Sequence, residues 1–148
     1  MARRSETCVS AVENDGKLIV EASKGSDYWE KTLYDFVHSN GHALLADWKD
    51  EYAMEVSFKL DSFTELYDQA GIMLLKGSDQ WIKAGIEMND GIPHLAVVVT
   101  DQFSDWSLAP VQEWVGEEVT IRTSRKKDAV IIRARTEIIT PLTSRRTN

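Results

Sequence analysis

Cysteine is nearly absent: Cys8 is the single one in 148 residues. No disulfide can close within the chain, so a secreted disulfide scaffold is excluded. Long apolar runs are missing too. None approaches the ~20 residues of a membrane-spanning helix, so no membrane partner is expected. The opening stretch, Met1-Ala-Arg-Arg-Ser-Glu-Thr-Cys8, has no apolar signal-peptide core. A cytoplasmic location, or a nuclear one, is the default expectation. Positive charge is short: 17 Lys and Arg face 24 Asp and Glu, for a net charge of -7. That argues against DNA or RNA as a partner, because phosphate backbones need a cationic surface. The basic residues gather near Arg3-Arg4, Arg122 to Lys127 and Arg145-Arg146, as solvated turns and ends do.

Several chemical signatures are also lacking. Gly91 and Gly116 stand alone, with no phosphate loop or dinucleotide fingerprint around them. Ser104 and Ser107 flank Trp106 without a nucleophile elbow. His38 and His42 have the i, i+4 spacing of a helical metal site, but Asn40-Gly41 between them breaks a helix. No Asp-rich calcium loop is present. The sequence therefore predicts neither metal nor cofactor.

What the chain does have is alternation of period two. In Ala53–Leu60, Met54, Val56, Phe58 and Leu60 face one way, and Glu55, Ser57 and Lys59 the other. Gln80–Met88 repeats the pattern, with Ile82, Ala84, Ile86 and Met88 opposite Trp81, Lys83, Gly85 and Glu87. Asn89-Asp90-Gly91 signals a hairpin, because Asp-Gly tolerates positive φ. Its return strand is Ile92–Thr100, whose more apolar set belongs in the core, leaving His94 and Thr100 outside with Trp81. Gln69–Lys76 is apolar on both faces and predicts a central strand. Lys17–Ala22, His42–Asp47, Ser104–Leu108, Glu118–Thr123 and Ala129–Ala134 read as further strands, and Thr32–His38 as a helical turn. About eight or nine short strands separated by turns predict an all-β, two-sheet antiparallel sandwich or jelly roll. The predicted organisation is a flexible segment over 1–16, a sandwich domain over 17–136 and a divergent tail over 137–148. The polar face of one sheet is expected to be free to bind.

Asp27-Tyr-Trp29, Ser39-Asn-Gly-His42, Tyr67-Asp-Gln-Ala-Gly71, Trp81-Ile-Lys83, His94 to Thr100 and Ser104-Asp-Trp-Ser107 occur in this order. As a set they resemble the domain-of-unknown-function family that includes the fungal regulation-of-enolase protein. The resemblance covers about residues 17–136. It implies a concanavalin A-like lectin/glucanase sandwich, and a function only loosely, because fold does not fix activity. Relatives of that kind continue past the Ala129–Ala134 strand with more strands, whereas this chain runs Thr136-Glu-Ile-Ile-Thr-Pro141. An uncovered sheet edge would follow from lost strands.

Five tryptophans are many for a core of this size, so some are expected at a contact surface. A carbohydrate site needs aromatic faces for ring C–H groups, with carboxylates and amides for hydroxyls. Trp29, Trp81 and Trp106 supply the first, and Asp68, Gln69, Lys83, Glu87 and Asp105 the second. The competing reading makes the tryptophans core and the polar residues loop stabilisers. Glycoside hydrolysis needs two carboxylates within ~5–9.5 Å. Glu51 and Glu55 would lie ~13 Å apart on a strand, which leaves only a pair drawn from Asp68, Glu87 and Asp105. The leading expectation is thus a non-catalytic module binding a carbohydrate or related small metabolite. A regulatory domain acting on a metabolic enzyme such as enolase, as the resemblance implies, and a glycan-active hydrolase stand as alternatives.

Overall fold

The computed structural model describes the backbone of residues 3–4 and the full structure of residues 10–137. Cys8 and the tail from 138 lie outside the described residues, so the expectations for them are not addressed. Among the described residues thirteen strands follow in order: β1 (Arg3–Arg4), β2 (Ser10–Asn14), β3 (Lys17–Glu21), β4 (Tyr28–Glu30), β5 (Val37–Ser39), β6 (Leu44–Leu45), β7 (Ala53–Lys59), β8 (Gln69–Gly77), β9 (Gln80–Asn89), β10 (Ile92–Asp101), β11 (Phe103–Pro110), β12 (Glu118–Lys126) and β13 (Ala129–Thr136). A 3-10 turn, Gln112–Trp114, precedes β12. The expected all-β sandwich is what forms.

Two sheets make the body. One is a four-stranded antiparallel meander in the order β11-β10-β9-β8, and the other is three-stranded in the order β13-β12-β7. Period two then decides the core. Ile72, Ala84 and Ile86 from the first sheet meet Val119 and Ile121 from the second, with Leu60 and Val111 closing the ends. Ile86, Val119 and Ile121 are wholly buried. Each such side chain contributes about 1.5–3 kcal/mol relative to an exposed one. The Asp90-Gly91 hairpin forms with φ of 52° and 77°, and the Asp15-Gly16 turn matches it with 50° and 73°.

Two expectations are corrected. Gln69–Gly77 is an edge strand and not a central one, since β8 ends the meander order. It is apolar on both sides because its inner side chains enter the core, while Met73 on the other face packs against Trp81 and Trp29. Thr32–His38 is not helical. Lys31, Leu33 and Asp35 all adopt positive φ, between 54° and 68°, and Val37–Ser39 is a strand. β2 pairs with β3 in an antiparallel hairpin.

Candidate functional site

The outer face of the meander is built by the same alternation. On β9 it presents Trp81, Lys83, Gly85 and Glu87. Register sets Thr100, Val98, Ala96 and His94 of β10 beside them. On the other side stand Leu75, Met73, Gly71 and Gln69 of β8, and β11 adds Ser104 and Trp106. His94 and Thr100 thus lie on the Trp81 face, as the apolar balance of β10 predicts. Gly71 and Gly85 are opposite one another, and a Cβ on Gly85 would fall 2.0 Å from the Ala70 carbonyl oxygen. The floor between Lys83 and Glu87 is therefore bare backbone.

This face is not free, contrary to expectation. Residues 27–39 cover part of it, because Trp29 needs burial and finds it beside Trp81 and Val98. Trp29 lies edge-on to Trp106 at 5.7 Å, and Tyr28 edge-on to Trp81 at 6.0 Å. The Glu30 N–H donates to Ser104 Oγ at 3.0 Å, which ties β4 to β11. The connection from β4 to β5 is a tight, left-handed-rich loop. It is closed by Lys31 N–H to Phe36 O at 2.8 Å and by the Trp29 indole N–H to Thr32 O at 2.8 Å. Positive φ costs a non-glycine residue about 1–3 kcal/mol, so these bonds offset real strain. The loop delivers Tyr34, whose hydroxyl meets that of Tyr67 at 3.0 Å. That hydrogen bond is the main reason the Tyr67 pKa is pushed up to about 12.

The polar centre is a charge cluster drawn from three segments. Lys83 Nζ donates to Asp27 Oδ1 at 2.8 Å. Gln69 Nε2 donates to the same oxygen at 2.9 Å, and the Tyr28 N–H at 2.7 Å. Glu87, the next outward residue but one on β9, is 5 % exposed, and its Oε1 has no hydrogen-bond partner. Burial raises its pKa, Lys83 opposes the rise, Asp27 adds to it and His94 opposes it again. His94 Nδ1 is engaged by the Ile92 carbonyl at 3.0 Å. The buried Trp106 indole N–H lies close enough to this carboxyl to lower its pKa, although the two do not complete a hydrogen bond, and the buried Trp81 indole nitrogen has no partner. The Glu87 carboxyl with the Trp106 indole beside it, and the Trp81 indole N–H, thus lie buried on one sheet face. The exposed side chains of Gln69, Tyr34 and Tyr67 border this face.

Six of the sequence-predicted residues come together here: Trp29, Gln69, Trp81, Lys83, Glu87 and Trp106. Two do not. Asp68 turns its carboxylate onto the Thr64 and Glu65 N–H groups at 3.0 and 2.9 Å, where it caps a turn. Asp105 pairs with Val99 on the opposite face of β11 and is exposed there. The carboxylates of Asp68, Glu87 and Asp105 are therefore not gathered in one place. The carboxylate that does act on Glu87 is Asp27, which sequence reasoning missed along with Tyr34, Tyr67 and Met73. Asp27 lies 56 residues from Lys83 and 42 from Gln69, and no local spacing encodes such contacts. Of the remaining acids, Glu55 is held by Arg122 and Arg135 on the three-stranded sheet. His42 Nε2 accepts the Ser23 N–H at 2.8 Å. Among the described residues no three His, Cys, Asp or Glu side chains converge as metal ligands. Among them, too, no helix is long and apolar enough to cross a membrane.

Comparison with known proteins agrees with this architecture. The chain is similar to a Saccharomyces cerevisiae protein named Regulation of enolase protein 1, at 38% identity over 100 residues, covering 68% of this chain and 50% of that protein. An uncharacterized protein of Emericella nidulans is 35% identical over 71 residues, covering 45% of this chain and 35% of its own length. The chain thus spans half or less of the length of these curated relatives. A crystal structure of a functionally unknown protein from Saccharomyces cerevisiae superposes with a TM-score of 0.84 at 31% identity, covering 94% of this chain and 74% of that one. A family model described as "Protein of unknown function (DUF1349)" matches residues 5–144, and the chain belongs to that family.

Proposed function

We propose that the chain is a non-catalytic binding module whose outer meander face takes a carbohydrate or a related polyhydroxylated metabolite. One observation carries the reading: exposed hydrogen-bonding side chains, Gln69, Tyr34 and Tyr67, stand beside the Trp106 ring at the edge of this face. A hydroxyl both donates and accepts, so a polyol suits the amide and the two phenols alike. Tyr34, Tyr67 and Trp106 also supply aromatic surface for ring C–H groups. Trp29, Trp81 and Trp106 lie in or against one cluster, so the test is intrinsic fluorescence during titration with neutral mono- and disaccharides. The expected result is a saturable change that Trp106→Phe and Gln69→Ala each weaken at least tenfold. A flat response from correctly folded protein across the panel would sink the reading.

The second reading is a regulatory domain acting on a metabolic enzyme. It rests on the name of the yeast relative, which concerns a protein about twice the length matched here. Immobilised protein that retains purified enolase while ignoring every sugar would favour it.

A further inference from the structure

We infer that Asp27 sets the charge class of the ligand: by engaging Lys83 it reserves the face for uncharged molecules and bars phosphorylated ones. The inference rests on the binding reading above and names its ligand class. Lys83 is a cation of this face, with a side chain 14% exposed whose ammonium lies 2.8 Å from Asp27 Oδ1. Around it stand the Asp27 carboxylate, the buried Glu87 carboxyl and His94, whose Nδ1 is turned to its own strand. Gln69 contributes an amide, and that amide also donates to Asp27. One ammonium against one fixed carboxylate leaves no surplus positive charge, and Glu87 in its ionised form makes the balance negative. A phosphate ester brings about -1.5 to -2 charges and three acceptor oxygens. It would find a committed ammonium, a like-charged carboxyl and a chain of net charge -7. A neutral hydroxyl meets no such repulsion and can both donate and accept.

Asp27 is a specificity-determining residue on this view, and Asp27→Asn separates its charge from its shape. The asparagine Oδ1 can still accept from the Tyr28 N–H, Gln69 and Lys83, so the fold of 27–39 should be kept while the ammonium loses the carboxylate that holds it and retains only the buried Glu87 carboxyl as a counter-charge. The experiment is calorimetric titration of wild type, Asp27→Asn and Asp27→Asn/Lys83→Gln with glucose, glucose 6-phosphate and inorganic phosphate, with circular dichroism on each sample. Wild type should bind glucose 6-phosphate at least tenfold more weakly than glucose. Asp27→Asn should tighten both phosphate probes at least tenfold, and adding Lys83→Gln should remove the gain. Phosphate binding by Asp27→Asn with no glucose binding by wild type would overturn the carbohydrate reading and keep the charge assignment. An unchanged phosphate affinity in Asp27→Asn, or a gain that survives Lys83→Gln, would overturn the assignment. So would wild type preferring the phosphate ester, a comparison that holds whether or not the variants fold.

Discussion

Alanine at Gly85 should be among the most damaging single-methyl additions this protein can suffer. A Cβ there would lie 2.0 Å from the Ala70 carbonyl oxygen and 2.8 Å from the Gly71 Cα. Real contacts of that kind open at about 3.0 Å or more, so β8 and β9 must part by roughly an ångström against a ladder spacing of ~4.8 Å. The obstacle is backbone and cannot rotate away as a side chain would. Overpacking of this sort costs typically about 1–3 kcal/mol and occasionally more. At roughly 2–4 °C per kcal/mol for a chain of this size, the melting temperature should fall by about 6–12 °C at the upper end. Two controls sharpen the test. Gly91 has open space but a φ of 77°, so Gly91→Ala should lose about 1–2 kcal/mol from backbone strain alone. Gly77 has an ordinary φ and nothing nearer than Asp79 Oδ1 at 3.9 Å, so Gly77→Ala should be neutral or gain about 0.4–1 kcal/mol. Urea denaturation followed by circular dichroism measures all three. If Gly85→Ala proved no worse than Gly77→Ala, the close approach of the two glycine strands would not be a constraint on the fold.

Other outcomes are specific enough to check together. Glu87→Gln should raise stability at neutral pH and flatten its pH dependence. The raised folded pKa means that wild type is helped below the ordinary glutamate value and loses that help as pH rises through the folded one, which urea melts from pH 4 to 8 would show. Tyr34→Phe should let the Tyr67 phenol fall from about 12 toward 10, read by ultraviolet absorbance in an alkaline titration; an unmoved value would mean that burial and not the Tyr34 hydroxyl holds it up. Lys83→Met should cost about 1–3 kcal/mol, because it strands a largely shielded carboxylate, and the same change beside Asp27→Asn should cost less than the sum of the two.

Much of the body could be read from residue order because it depends on local rules. Period two placed Ile82, Ala84 and Ile86 inward and Trp81, Lys83 and Glu87 outward, and positive φ at Asp90-Gly91 folded β9 onto β10. The same rule separates Asp105 from Trp106, since strand neighbours point to opposite faces. The covering segment was not readable in this way. β4 and β5 have three residues each, too few for a period to show, and their place is fixed by where Trp29 finds apolar company. Asp27 joins the site through partners on β8 and β9, a matter of tertiary placement that no motif announces.

The meander also has a consequence for the order of assembly. Its strands are joined by Ser78-Asp79, Asp90-Gly91 and the single residue Gln102, so each new pairing closes a minimal loop. The β7–β12 pairing must close a far longer one, with Glu55 meeting Arg122 across 67 residues, and the Asp27–Lys83 contact spans 56. Loop closure grows dearer with length, and contacts distant in sequence slow the barrier crossing. The four-stranded sheet should therefore nucleate, with the site closing over a scaffold already formed. Substitutions in the β9–β10 turn should slow refolding, whereas changes at Asp27 should mainly speed unfolding, and equal effects on both rates at the two places would contradict that order.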